Sequence, residues 1–211
     1  MPEPVVIVGC GGHGREVFGI FAAVNDGGGD PWKVLGFLDD TPSEPNLRAL
    51  DRLGAAWLGP NDLLADLDAH FVIGIGDPRV RAAVAARLDP LGRPAATVVH
   101  PAATVGLDNH VADGVVVFAG ARVTTNVTLG RHVHLNQNAT VGHDSVLADF
   151  VQVNPLAAVS GDCVLGRAVL IGTTASVLQG RSVGAGATVG AGACVVRDVE
   201  AGRIVKGVPA R

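Results

Sequence analysis

The chain has 211 residues, with 16 Lys and Arg against 20 Asp and Glu, a formal net charge of −4 and no basic run. That excludes nucleic acid as a partner, because phosphate recognition needs clustered Lys and Arg. Cys10, Cys163 and Cys194 lie far apart and match no zinc or redox spacing, and Met1 to Val8 has no basic segment before an apolar run. A reduced, cytoplasmic protein without a signal peptide is expected.

Tyr is absent, there are 2 Trp and 6 Phe, and Gly reaches 29. A core of Val, Ala and Leu suits narrow, uniform layers better than a globule built on aromatic anchors. Ser182 to Val196 is uncharged but short for a bilayer span and rich in Gly, so no membrane insertion is expected.

The first element is a short apolar strand, Val5 to Val8, followed by a Gly-rich turn. A helix is predicted over Gly14 to Val24, with Val17, Phe18, Phe21 and Val24 on one side. Lys33 to Leu38 reads as a second strand ending at Asp39 and Asp40. A short helix capped by Asn61 is predicted over Asn61 to Leu67, then a strand over Phe71 to Ile75. Asp77 and Pro78 open a helix over Arg79 to Leu88. This alternation predicts a small parallel α/β unit in residues 1–93.

Within it, Gly9-Cys10-Gly11-Gly12-His13-Gly14 matches G-x-G-x-x-G between a strand and a helix. Such glycines permit a tight turn and close backbone approach, and the helix N-terminus offers free N–H groups to a phosphate. Asp39 and Asp40 stand where a carboxylate can hold a ribose hydroxyl. Fewer than a hundred residues precede the repeats described next, which is room for half of a dinucleotide fold. A mononucleotide or nucleotide sugar therefore fits better than NAD.

From Val99 onward, seventeen positions at steps of six, through Val195, are all aliphatic. Two residues before each sits a second restricted position, from Ala103 and Val115 to Ala187 and Ala193, broken by Asn109 and Arg181. Strands alternate faces with period two, so both positions point inward together and the residue between points out. Short strands at a fixed six-residue period predict a parallel β-helix over residues 94–211. The pattern resembles the left-handed β-helix family, in which three hexads make a triangular coil. That resemblance implies about five coils over residues 99–199 and a homotrimer with active sites between subunits.

In the repeat sequence LNQNATVGHDSVLADF, His143 falls two residues past the inward Val141, so it belongs to a turn. Imidazole changes charge near neutral pH and serves as a general base, and the adjacent Asp144 carboxylate can orient the ring. His132 and His134, separated by one residue, raise a zinc site of the carbonic-anhydrase type. No histidine pair has the five-residue spacing of that family, and no metal is expected. His134 is predicted to face outward, at the surface or an interface.

GCGGHGREV, GFLDD, VIGIGDPRVR, LNQNATVGHDSVLADF and a GVPAR ending occur together and in order. This combination resembles the sialic acid O-acetyltransferase and UDP-4-amino-sugar N-acetyltransferase family (NeuD/PglD-like) over nearly the whole chain. The resemblance implies acetyl-CoA as co-substrate and a nucleotide-linked amino sugar as acceptor, with no metal. It assigns substrate contacts to Gly12, His13, Gly14, Asp39, Asp40 and Gly76, and Asn136, in the same repeat segment as His143 and Asp144, is a further substrate-binding candidate. His143 becomes the base and Asp144 the acidic neighbour that strengthens it. Coenzyme contacts fall on Gly161, Thr173 and Ala191, and on Gln152 where some members carry a histidine. Transfer to a sugar hydroxyl, or a non-enzymatic nucleotide-sugar-binding role, are the alternatives.

Overall fold

The computed structural model describes residues 1–28 and 31–211. A four-stranded parallel sheet comes first, in the order β3 (Trp57–Gly59), β2 (Trp32–Leu38), β1 (Glu3–Val8), β4 (His70–Ile73). Alternation along β1 builds its two faces. Val5 and Ile7 pack with Val17 and Phe21 of helix α1 (Gly12–Asp26), while Val6 and Val8 pack under Ala82, Ala85 and Leu88 of a later helix, Pro78–Leu88. Asp77 caps that later helix by accepting the N–H groups of Arg79 and Val80, as the Asp-Pro pair predicted.

The sequence reading missed helix α2 (Glu44–Arg52) and strand β3, although Ser43 caps α2 by accepting from the Asn46 N–H and a proline sits in its first turn. With α2 in place, the helix Pro78–Leu88 is α3. Asn61 corrects another expectation. Residues Asn61–Asp66 form a 3-10 segment whose preceding residue is Pro60, and the Asn61 N–H is taken by the Asp40 carboxylate, so Asn61 is held and does not cap.

From Val98 the chain winds through two-residue strands stacked as parallel sheets of seven, six and five strands, as in a left-handed β-helix. Each strand pairs with the one eighteen residues on, as in His134 with Gln152. The aliphatic column and its Ala or Val partner fill the interior, from Val115 and Val117 to Val195. Burying one Val contributes roughly 1.5–3 kcal/mol, so an unbroken column makes the stack self-sustaining. Two expected core positions fail: Val99 and Val105 are each 37% exposed, because no coil lies below them. At the other end the stack runs past residue 199 to Val205, since Thr188 pairs with Ile204 and the last coil is two residues shorter.

Both layers of the small sheet continue onto one face of the β-helix. Val98, Val116 and Phe118 join the α1 layer; Phe150 and Ala168 join the α3 layer. The α/β part therefore sits on the seven-stranded face.

Candidate active site

The Gly-rich loop leaves β1 and enters α1 directly. A Cβ on Gly14 would collide with the Gly9 carbonyl, so only glycine lets the helix start this close to the strand ends. Asp39 accepts the Cys10 N–H at 2.8 Å and the Thr41 N–H at 2.9 Å, bracing the loop against β2. Burial, and then Asp39, push the Cys10 thiol up to about 12, so it stays protonated. Asp40 pairs with Arg87 at 2.7 Å and is held below the usual carboxylate range, chiefly by the Asn61 N–H and then by Arg87. Both aspartates, with Gly9, Asn61 and Ile75, line a cavity of about 200 Å³ at the C-terminal ends of the strands. That is where parallel α/β sheets take ligands.

His13 points away from this cavity. Its Nε2 lies 2.9 Å from Nδ1 of His134 on the β-helix, the rings stack at 5.1 Å, and Gly76 lies against its ring. His134 does face out of its coil, and the α/β part covers it completely, so of the two expected settings it takes an interface and not the surface. His132 stacks on Phe150 at 5.3 Å, so the two histidines face different neighbours and do not converge. Burial holds all three imidazoles neutral: His13 and His132 are pushed down to about 4, and His134 falls well below its ordinary value.

Arg81 of α3, which sequence reasoning did not single out, closes this seam. It is fully buried and donates to the carbonyls of Ile75, Gly76, His132, Phe150 and Val151 and to the Gln152 side chain. Among the described residues no carboxylate pairs with it, and burial pushes it down to about 9. Its signal was legible: Arg81 shares one helical stripe with the buried Ala85 and Leu88. Gln152 is 1% exposed and its amide is spent on Arg81, Asn136 and Asn154. The structure thus puts Gln152 and Asn136 in the seam, with the Gln152 amide committed to neighbours within the chain.

His143 and Asp144 occupy the corner between the six- and five-stranded faces, after strand Thr140–Val141 and before Val146–Leu147. Both side chains are about half exposed, and His143 Nδ1 lies 2.6 Å from Asp144 Oδ2. Asn126, one coil below, donates from Nδ2 to Asp144 Oδ1 at 2.7 Å. The Asp144 carboxyl is held below its usual range by His143 first and Asn126 second. Gly161 lies one coil above; a Cβ there would come within 2.5 Å of His143 Nε2. Only a glycine leaves the imidazole its place, with Nε2 open. Thr173 and Ala191 are exposed and stacked eighteen residues apart on a different edge, between the seven- and six-stranded faces.

The expected residues therefore fall into four groups within one chain, Thr173 and Ala191 on their own edge forming one of them. Gly12, Gly14, Asp39 and Asp40 surround the loop and cavity. His13, Gly76, Asn136 and Gln152 meet at the seam. His143, Asp144 and Gly161 meet at the corner. Among the described residues no helix is long and apolar enough to cross a membrane.

The PglD N-terminal domain model matches residues 4–88. No curated protein sequence matches the chain. Solved structures do. The acetyltransferase domain of PglB from Neisseria gonorrhoeae, in complex with acetyl coenzyme A, is 31% identical with a TM-score of 0.87, covering 100% of this chain and 99% of that one. A variant of perosamine N-acetyltransferase from Caulobacter crescentus, in complex with CoA and GDP-perosamine, is 28% identical with a TM-score of 0.88, covering 99% and 95%. WeeI from Acinetobacter baumannii is 25% identical with a TM-score of 0.84, covering 99% of both chains. With a relative this similar along its whole length, beside the matched N-terminal domain, the chain belongs to the PglD-like family of hexapeptide-repeat acetyltransferases.

Proposed function

We propose that the protein transfers the acetyl group of acetyl-CoA to the amine of a nucleotide-linked amino sugar in the cytoplasm. Residues 1–93 hold the nucleotide sugar and residues 94–211 carry the chemistry. The observation that carries this reading is the corner itself: an imidazole with Nδ1 on a carboxylate at 2.6 Å and Nε2 facing the space beside a glycine backbone. The neighbours' complexes with CoA, acetyl-CoA and GDP-perosamine support the substrate class.

The nucleotide phosphates lie on the Gly12–Gly14 turn, with the nucleoside at the cavity of Asp39 and Asp40. The sugar amine attacks the thioester carbonyl carbon as its proton passes to His143 Nε2. Asp144 holds the Nδ1 proton and stabilises the imidazolium that forms. The tetrahedral oxyanion takes the Gly161 N–H, which among the described residues has no acceptor. Collapse breaks the C–S bond, and the CoA thiolate receives the proton from His143. No acyl-enzyme is needed. Thr173 and Ala191 lie along the coenzyme's path on the neighbouring edge.

The loop and the base stand on different sides of one chain's β-helix, so we place the site between subunits of a homotrimer, the loop of one subunit facing His143 of the next.

Thiol release from acetyl-CoA, measured against UDP-, GDP- and dTDP-linked 4-amino sugars with sialic acid alongside, tests the reading. Release with an amino sugar should fall about 10²–10⁴-fold in His143→Ala. Near-normal turnover in that variant, or release with sialic acid alone, overturns it.

A further inference from the structure

The restricted inward positions of the β-helix are apolar except along the edge that carries the catalytic corner, where Asn109, Ser145 and Arg181 stand. Asn109 and Ser145 bind backbone groups of their own coil and of the turn in the coil above. Asn109 accepts the Val127 N–H at 2.7 Å and donates to the carbonyls of Gly106 and Thr124 at 3.0 and 2.9 Å. Ser145 donates to the Ser160 carbonyl at 3.1 Å and accepts the Cys163 N–H at 3.2 Å. The first fixes the turn that carries Asn126. The second fixes the turn that carries Gly161. Turns on this edge are thus held from inside the coil, where an apolar residue would hold only the packing.

On the outside of the same edge, Asp108, Asn126, Asp144 and Asp162 stack one per coil, each in the left-handed region, with φ of 59°, 54°, 62° and 57°. Asp and Asn tolerate that conformation better than other residues with side chains. The backbone supports alone would therefore accept Asp at all four places. The one that is Asn lies directly beneath Asp144 and donates to its Oδ1 at 2.7 Å, while Oδ2 takes His143 Nδ1 at 2.6 Å.

We propose that Asn126 is a positioning residue for the catalytic pair: its amide pins one oxygen of Asp144 so that the other holds the proton on His143 Nδ1 and leaves Nε2 free for the acceptor. Asp at position 126 would set an acceptor against an acceptor and turn Asp144 away. Gly would keep the backbone conformation and remove the donor. The inference rests on His143 acting as the base, and its test has one arm that needs no substrate.

In that arm, ¹⁵N NMR of labelled histidine reads the His143 tautomer, assigned by comparison with His143→Ala. The intact protein shows the Nδ1–H form, and Asn126→Gly shows a mixture of both forms at unchanged melting temperature. In the kinetic arm, kcat of Asn126→Gly falls about tenfold with both KM values within about twofold, the loss of one charge-assisted hydrogen bond. Asn126→Asp falls further. In an Asp144→Ala background, Asn126→Gly costs nothing more. A tautomer unchanged by Asn126→Gly, or a kinetic loss that persists in full without Asp144, overturns the proposal. If no acceptor is turned over by the intact protein, the functional reading fails while the tautomer still decides the positioning.

Discussion

The seam and the corner set the same residue type in opposite conditions. At the seam, His13, His132 and His134 are desolvated, face Arg81, and have no carboxylate among their hydrogen-bond partners; their imidazoles are held neutral. At the corner, His143 is half exposed and rests on Asp144 at 2.6 Å. Burial strips the seam histidines of proton affinity, so they pack and do not titrate near neutrality. A base needs both access and a partner that stabilises its charged form, and only the corner supplies both.

The largest effect that sharpens this contrast is at Arg81. Removing it takes the donor from the carbonyls of Ile75, Gly76, His132 and Phe150 and from Gln152 Oε1 inside the seam, while the Val151 carbonyl keeps the His134 N–H and the Gln152 Nε2 keeps Asn136 and Asn154. Arg81→Ala should cost about 3–5 kcal/mol, the usual result of breaking a buried charged network. Thermal melting should show a fall of many degrees, with partial recovery in Arg81→Lys. A melting temperature near that of the intact protein would mean that the apolar layers alone dock the α/β part, and the seam would lose its distinct role.

The corner should answer in the other way. In Gly161→Ala the added methyl comes within 2.5 Å of His143 Nε2, and the exposed ring moves aside at little cost to the fold. A displacement near 1 Å in a catalytic group costs about 10²-fold in kcat. Melting should stay within a few degrees. Equal kcat would show that Nε2 is not the proton-accepting atom.

How far the sequence reached follows the same division. The β-helix was legible almost residue by residue, because its period forces every inward position into one column. It failed at Val99 and Val105, where a periodic pattern does not say that a coil has no neighbour below. His143 and Asp144 were legible as a turn pair. Asn126 was not, since eighteen residues separate it from Asp144 and only the coil length, once known, stacks them. The seam was the least legible. His134 reads as outward in its strand, and nothing local to it announces that another layer covers that face. The Arg81 side chain makes its contacts up to 71 residues away in the chain.

The smallest effect concerns the seam's response to acid. His13 and His132 have folded-state values near 4, below the ordinary 6.5 of the unfolded chain. The unfolded state therefore binds protons first, and stability is complete above pH 6.5 and declines as pH falls from there toward about 4. One such imidazole costs on the order of 1 kcal/mol at a pH one unit below its unfolded value. His132 allows the cause to be isolated. Its ring is fully buried between Phe71 and Phe150, and among the described residues neither nitrogen has a partner. His132→Phe keeps the stacked ring and removes two orphaned polar atoms, so stability at pH 7 should stay within about 1 kcal/mol of the original. The decline between pH 6.5 and 5 should become shallower by one group. Urea unfolding at the two pH values reads both quantities. An unchanged slope would mean that the acid response comes from His13 and His134 at the loop contact, and that His132 is shielded from protons even when the seam opens.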